Sequence, residues 1–201
     1  MLVEKQTEYG YISYYENDQV FADGLRNGKI YEQGLILNRL ADYVKDSRVI
    51  FDIGAHTGSH TVMYKYLNPK CLIWAFEPQK KMFELLQHNI NKNKLGSVLA
   101  FNKAMGHKRM NFTMSNMTTD GENMRRPINY GTKQRFNLGG LQVGTGGEEI
   151  EIWTVDEMRT PSIDYMKIDV EGFEFLVILG GMETIKRDRP IIVFENNHKV
   201  I

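Results

Sequence analysis

The sequence predicts an α/β fold with a mostly parallel, doubly wound sheet and helices on both faces. Three observations carry this. Short β-branched and aromatic runs at residues 48–53, 71–76 and 191–195 alternate with helix-period segments, the pattern of strand–helix–strand units. Within residues 79–93, Met82, Leu85, Leu86 and Ile90 fall on one helical face, as in a helix that buries one stripe against a sheet. The strand ends carry Asp52, Glu77, Asn102, Asp169 and Glu195, and sheets of this kind bind ligands beyond the carboxyl ends of their strands.

The elements follow in order. In residues 1–47, a small hairpin is expected from 9–15 and 19–21, and Leu37, Leu40, Ala41 and Val44 mark an amphipathic helix. The core then runs strand 48–53, helix 57–67, strand 71–76, helix 79–93 with Pro78 at its start, and strand 97–101. Segments 109–114 and 148–155 alternate like strands and are expected to pair as an antiparallel hairpin around 115–147. That stretch is rich in glycine and aperiodic, and a loop of such length in a compact domain is functional or disordered. The methionines at 105, 110, 114, 117 and 124 read as flexible gap-fillers. Strand 164–170, a helix over 173–187 and strand 191–195 complete the core. A single domain over 1–201 is expected, with 1–47 as a hairpin-and-helix cap and 48–201 as the core.

Composition sets limits. The 201 residues carry 25 Lys+Arg and 25 Asp+Glu, which argues against a polybasic nucleic-acid binder. A hydrophobic content of 42% argues against overall disorder. Cys71 is the single cysteine, so neither an intrachain disulfide nor a cysteine-based zinc site can form. No apolar run approaches the ~20 residues of a membrane span, and no apolar leader is visible. The expected location is cytoplasmic, with no membrane partner.

The strongest chemical signal is residues 51–58, FDIGAHTG, a strand running into a glycine turn that opens a helix. Such a turn lets the backbone approach a ligand and presents free N–H groups. Its G-x-x-x-G spacing departs from the dinucleotide fingerprint. Asp52 would repel a pyrophosphate but could accept from a ligand ammonium, and Glu77 ends the next strand, where a carboxylate can hold both ribose hydroxyls. A ligand with an amine and a ribose but no phosphate fits S-adenosylmethionine better than a nicotinamide cofactor. In residues 164–172, DYMKIDVEG, strand alternation puts Lys167, Asp169 and Glu171 on one side. Three charges there read either as an internal ion pair or as catalytic groups. Glu195 to His198 follows the last strand, with Glu195 expected near Asp169.

Together these pieces resemble the FkbM-type methyltransferase family within the class I S-adenosylmethionine-dependent group. The resemblance rests on VIFDIGAHTGSHT (49–61), AFEPQ (75–79), NKAMG (102–106), TVDEM (154–158), IDYMKIDVEGFEFLVILGG (163–181) and RPIIVFE (189–195). It implies a Rossmann-like O-methyltransferase acting on a sugar or another small metabolite, with S-adenosylmethionine as cofactor and S-adenosylhomocysteine as product. By position it implies that Asp52, Gly54, Ala55, His56, Thr57 and Gly58 form the methionine-binding turn. Glu77 would be the ribose carboxylate with Pro78 beside it, Asn102 and Ala104 the adenine site, and Asp169 the residue near sulfonium and acceptor. Tyr31 and Glu32 would belong to a lid. Class I folds carry two further strands that are not expected here. Either the chain is a truncated form, or the open edge would be covered by the 109–114 and 148–155 segments or by a second subunit.

The expected chemistry is in-line methyl transfer, with Asp169 or Glu171 as base and Lys167 setting their charge. His56 is a second candidate base. No metal is expected. A variant would place a divalent cation on Asp169, Glu195 and Asn196. The rival readings are an RNA ribose methyltransferase, for which a needed lysine is missing, and a non-catalytic cofactor-binding or interaction module.

Overall fold

The computed structural model describes residues 1–118 and 120–196. An antiparallel hairpin of β1 (Leu2–Gln6) and β2 (Tyr11–Tyr15) opens the chain. It is followed by α1 (Phe21–Arg26) and by a helical run of α2 (Gln33–Leu35), a π-helical turn (Ile36–Leu40) and α3 (Ala41–Asp46). The core then runs β3 (Val49–Ile53), α4 (Ser59–Leu67), β4 (Leu72–Phe76), α5 (Lys80–Lys92) and β5 (Val98–Phe101). Next come β6 (Ala104–Met105), β7 (Met110–Ser115) and β8 (Gly146–Trp153), then β9 (Tyr165–Ile168), α6 (Glu174–Leu179), α7 (Met182–Asp188) and β10 (Ile191–Phe194).

The main sheet has the order β10-β9-β3-β4-β5 and is parallel throughout. Strand alternation divides its side chains between two cores. Val49, Phe51 and Ile53 of β3 join Phe76, Met166, Ile168 and Val177 of α6 on one face. Ile50 joins Ile73, Ala75 and Tyr165 on the other, against Val44 of α3, Val62 and Met63 of α4, and Leu86 and Ile90 of α5. Helices therefore cover both faces, as a parallel sheet requires.

Several expectations change. Strand β2 pairs with β1 rather than with residues 19–21, in the register Leu2↔Tyr15 to Gln6↔Tyr11. Residues 19–21 go elsewhere because the Asp18 carboxylate accepts from the Val20 and Phe21 N–H groups and starts α1. The expected helix over 173–187 is two helices, broken at Gly180-Gly181. There the chain passes against Gly106: a Cβ on Gly180 would lie 1.9 Å from the Gly106 carbonyl oxygen. Strand β9 ends at Ile168, so alternation does not carry Asp169 and Glu171; Glu171 has φ +55° in a turn after the strand.

The segments around the glycine-rich stretch do pair antiparallel, as β7 and β8, with β6 joining them in a separate three-stranded sheet. They do not cover β10. Because β6 follows β5 after two residues, the second sheet is carried at the β5 side. Among the described residues no strand pairs with the outer edge of β10. The long stretch between β7 and β8 is packed. Its Phe136 and Leu138 are buried against Met82 and Leu85 of α5. Asn17 donates to the Asn129 and Gln134 carbonyls, and Arg135 pairs with Asp23 at 2.6 Å. Met105 and Met114 fill core gaps, while Met117 and Met124 are exposed.

Candidate active site

A cavity lies beyond the carboxyl ends of β3, β4 and β9, between the cap and the long stretch. Its first wall is the turn after β3. The Gly54 and Ala55 N–H groups both donate to the Phe76 carbonyl at 3.0 and 2.9 Å, which ties the turn to the end of β4. Gly54 has φ +79°, and a Cβ there would stand 1.8 Å from the Asp169 carbonyl oxygen. Only glycine lets the turn close onto the residue after β9. Asn89 of α5 fastens the turn from behind, donating to the Thr57 and Ser13 carbonyls while accepting from the Ser13 N–H.

His56 has φ +51°, is buried and stacks on Phe21 with ring centroids 4.4 Å apart. Its Nε2 is 3.6 Å from the Asp18 carboxylate. Burial pushes its pKa down to about 3, with Lys167 adding to the effect, so the imidazole is neutral. Burial likewise raises Asp18 to about 7 against its backbone N–H donors. Both His56 ring nitrogens, Thr57 Oγ1 and Gln79 Oε1 are buried and have no hydrogen-bond partner among the described residues. His56 and Gln79 line the cavity, and orphaned polar atoms at a cavity wall call for a ligand.

Glu77 directly follows β4 and also lines the cavity. Its two carboxylate oxygens accept from the His56 and Gln79 N–H groups, each at 2.8 Å. Burial raises its pKa to about 7, partly offset by those donors. A carboxylate has about four acceptor sites, so two remain for a ligand. Asn102 donates to the Glu77 and Pro78 carbonyls at 2.9 and 2.8 Å. It therefore holds the Glu77 loop in place and does not itself line the cavity, whereas Pro78, Lys103, Ala104 and Met105 do.

The opposite wall is charged. Lys167 Nζ donates to the Gly54 carbonyl at 2.7 Å and lies 3.2 Å from Asp169 and 3.7 Å from Asp52. Burial opposes its charge, but Asp169 and Asp52 outweigh that and raise its pKa, so it stays cationic. Burial would raise Asp169, yet Lys167 and a bond with Glu195 prevail and lower it. Burial lifts Glu171 to about 8, reinforced by Glu195 and Asp169. Asp169, Glu171 and Glu195 each offer an oxygen within 4.8 Å of the others. This group could hold a cation, and it contains Glu171 where the sequence suggested Asn196, which is exposed. Asn197 and His198 lie outside the described residues.

The structure thus brings Gly54, Ala55, His56, Glu77, Pro78, Ala104, Lys167, Asp169 and Glu171 to one cavity. Asp52, Thr57, Gly58 and Asn102 sit behind its walls. Asp52 is fully buried, accepts from Thr61 at 2.6 Å and faces Lys167. It cannot meet a ligand ammonium directly. Gly58 packs instead, since a Cβ there would strike Leu86. Sequence reasoning missed His60, Lys103, Asp120, Asn137 and Phe173, which also line the cavity. His60 had one readable signal, its place four residues after His56 in the same glycine-turn motif.

Comparison with known proteins is consistent with this geometry. The family described as the methyltransferase FkbM domain matches residues 52–200. A 2-O-methyltransferase, NoeI, from Sinorhizobium fredii is 28% identical over 192 residues, covering 90% of this chain and 76% of its own length. The hexuronic acid methyltransferase AglP from Haloferax volcanii is 24% identical over 160 residues, covering 79% of this chain and 60% of its own. A crystal structure of an FkbM methyltransferase from Methylobacillus flagellatus superposes with a TM-score of 0.51 at 15% identity. That match covers 74% of this chain and 32% of the other, so it speaks for the fold. No helix among the described residues is long and apolar enough to cross a membrane.

Proposed function

The chain belongs to the FkbM methyltransferase family, and from that premise we propose that it methylates a hydroxyl oxygen of a sugar or similar small metabolite, with S-adenosylmethionine as methyl donor. The observation that carries this reading is one cavity with two chemically distinct walls. Gly54, Ala55, His56 and Glu77 form one, and Asp169, Glu171 and Glu195 form the other. The relatives named for 2-O-methylation and for a hexuronic acid support a sugar acceptor.

The donor side fits an adenosyl ligand. Glu77 keeps acceptor sites for a pair of ribose hydroxyls, Ala104 and Met105 offer an apolar surface to a base, and the unpartnered His56 and Gln79 atoms await polar groups. When bound, S-adenosylmethionine supplies a methyl carbon made electrophilic by its sulfonium. Residues on the acceptor side position the hydroxyl in line and remove its proton. Glu171 has the proton affinity for that task near neutral pH. Glu171 would take the hydroxyl proton while the acceptor oxygen would replace the donor's sulfur on the methyl carbon. Asp169, kept charged by Lys167, orients the hydroxyl, and Lys167 is a positioning residue that exchanges no proton. His56, held neutral by burial, is the weaker candidate base.

Calorimetric titration with S-adenosylhomocysteine tests the reading. Binding that is lost in Glu77→Ala and absent for NAD supports it. No adenosyl binding by the folded protein would return the chain to the interaction-module reading.

A further inference from the structure

We propose that the acceptor face entering this cavity is uncharged or cationic, a neutral or aminated sugar, and that a uronate or sugar phosphate is rejected. The inference rests on the functional reading above and deepens it.

The argument is one of charge. Asp120, Asp169 and Glu195 line the acceptor side, and beside them Glu171, whose carboxyl is lifted to about 8, adds its charge only as pH rises. Among the described residues two lysines line the cavity, and both are committed. Lys167 is shared among the Gly54 carbonyl, Asp52 and Asp169. Lys103 meets Glu151 at 2.6 Å and lies over the Trp153 ring at 5.3 Å. No arginine is among the described lining residues. His56 and His60 are buried, which disfavours the imidazolium form that could meet an anion. Recognition of a carboxylate or phosphate normally uses a bidentate arginine or an available lysine. Among the described lining residues, every cation already has an acidic partner.

What the wall does offer suits a neutral ring. Carboxylates accept from sugar hydroxyls or from an ammonium, and Asn137 adds an amide beside Asp120, to which it donates at 3.0 Å. Tyr31 and Phe173 supply rings for the apolar side of a pyranose. A carboxylate or phosphate on that ring would instead stand among like charges in a half-buried site, where repulsion is poorly screened.

The test compares methyl glucoside, methyl glucosaminide, methyl glucuronide and glucose 6-phosphate as acceptors. Binding to the S-adenosylhomocysteine-loaded protein is followed by saturation-transfer NMR, and turnover by methyl transfer. The expected result is kcat/KM at least about 100-fold higher for the glucoside and glucosaminide than for the two anionic sugars. Glu195→Gln, checked for an unchanged melting temperature, should narrow that gap about tenfold or more, as removal of a repelling charge requires. Equal or better use of the glucuronide or the phosphate overturns the proposal, as does a gap that Glu195→Gln leaves intact. Binding of none of the sugars by the loaded protein overturns it too. Failure to bind S-adenosylhomocysteine would instead overturn the methyltransferase reading beneath it.

Discussion

Asp52 and Lys167 are register partners on adjacent parallel strands, and their charged groups stand 3.7 Å apart behind the cavity wall. The pair is placed by the centre of the sheet and not by a loop. Lys167 reaches from it to the Gly54 carbonyl and to Asp169, joining the glycine turn to the acidic wall through one ammonium. Removing it leaves a fully buried carboxylate with its charge uncompensated. Lys167→Met is expected to cost about 3–5 kcal/mol in denaturant unfolding. The double variant Asp52→Asn/Lys167→Met should recover part of that loss; an equal loss in the double variant would show that the charge pairing is not the cause.

Glu171 sets a pH dependence. Its pKa is raised to about 8 in the folded protein, mainly by burial and then by Glu195 and Asp169, from the ordinary 4.5. A raised carboxyl favours the folded state when protonated, so this contribution is complete below about pH 4.5 and is lost as pH rises through about 8. Glu171→Gln should flatten that decline and exceed the parent in stability at pH 9 by about 1 kcal/mol or more. If Glu171 takes the acceptor proton, kcat/KM of the parent should also rise with pH to a plateau above about 8.

Gly54 leaves no room for substitution. A methyl group there meets the Asp169 carbonyl, and φ of +79° is strained for any other residue. Gly54→Ala should lose about 3 kcal/mol or more of stability, together with measurable S-adenosylhomocysteine binding. A stable variant that still binds would mean that the approach of Asp169 to the turn is unimportant.

Asn89 is fully buried and makes three hydrogen bonds that join β2 of the cap to the turn. Asn89→Ala orphans the Ser13 and Thr57 groups and should cost about 2–3 kcal/mol, read from thermal or denaturant unfolding.

Chelation separates the two ways of using the acidic wall. With a carboxylate base, methyl transfer is expected to be unchanged in EDTA. Loss of activity that magnesium restores would assign Asp169, Glu171 and Glu195 to a cation instead.

The parts of the site that were legible are contiguous. The run from Phe51 to Gly58 is a strand, a turn and a helix start in eight residues, and Glu77-Pro78 repeats the logic one strand later. Local pattern suffices there because each signal and its structural consequence are neighbours. Asp52 was misread for the opposite reason. Its partner Lys167 lies 115 residues away, and nothing near Asp52 says that its carboxylate turns toward another strand rather than toward a ligand. Phe136 and Leu138 show no periodicity, yet both are buried, because the stretch that carries them folds against α5 and the cap. The break at Gly180-Gly181 was hidden by an apolar spacing that runs through it; the close approach of Gly106 is a tertiary fact. Acceptor selectivity was illegible for the same reason, since Asp120, Asp169 and Glu195 become neighbours of one cavity only in three dimensions.

The sheet order also bears on how the chain is made. Central β3 is flanked by β4, which follows closely, and by β9, which begins at Tyr165. During synthesis at roughly 5–20 residues per second, β3 must wait several seconds after β5 emerges before its second neighbour exists. For that interval one edge of a strand buried at every residue is unpaired, the condition in which nascent chains associate wrongly. Pairings this distant in sequence also make folding slow relative to helical proteins of similar size. The yield of folded protein should therefore depend on temperature and on chaperone supply during expression more than its final stability suggests.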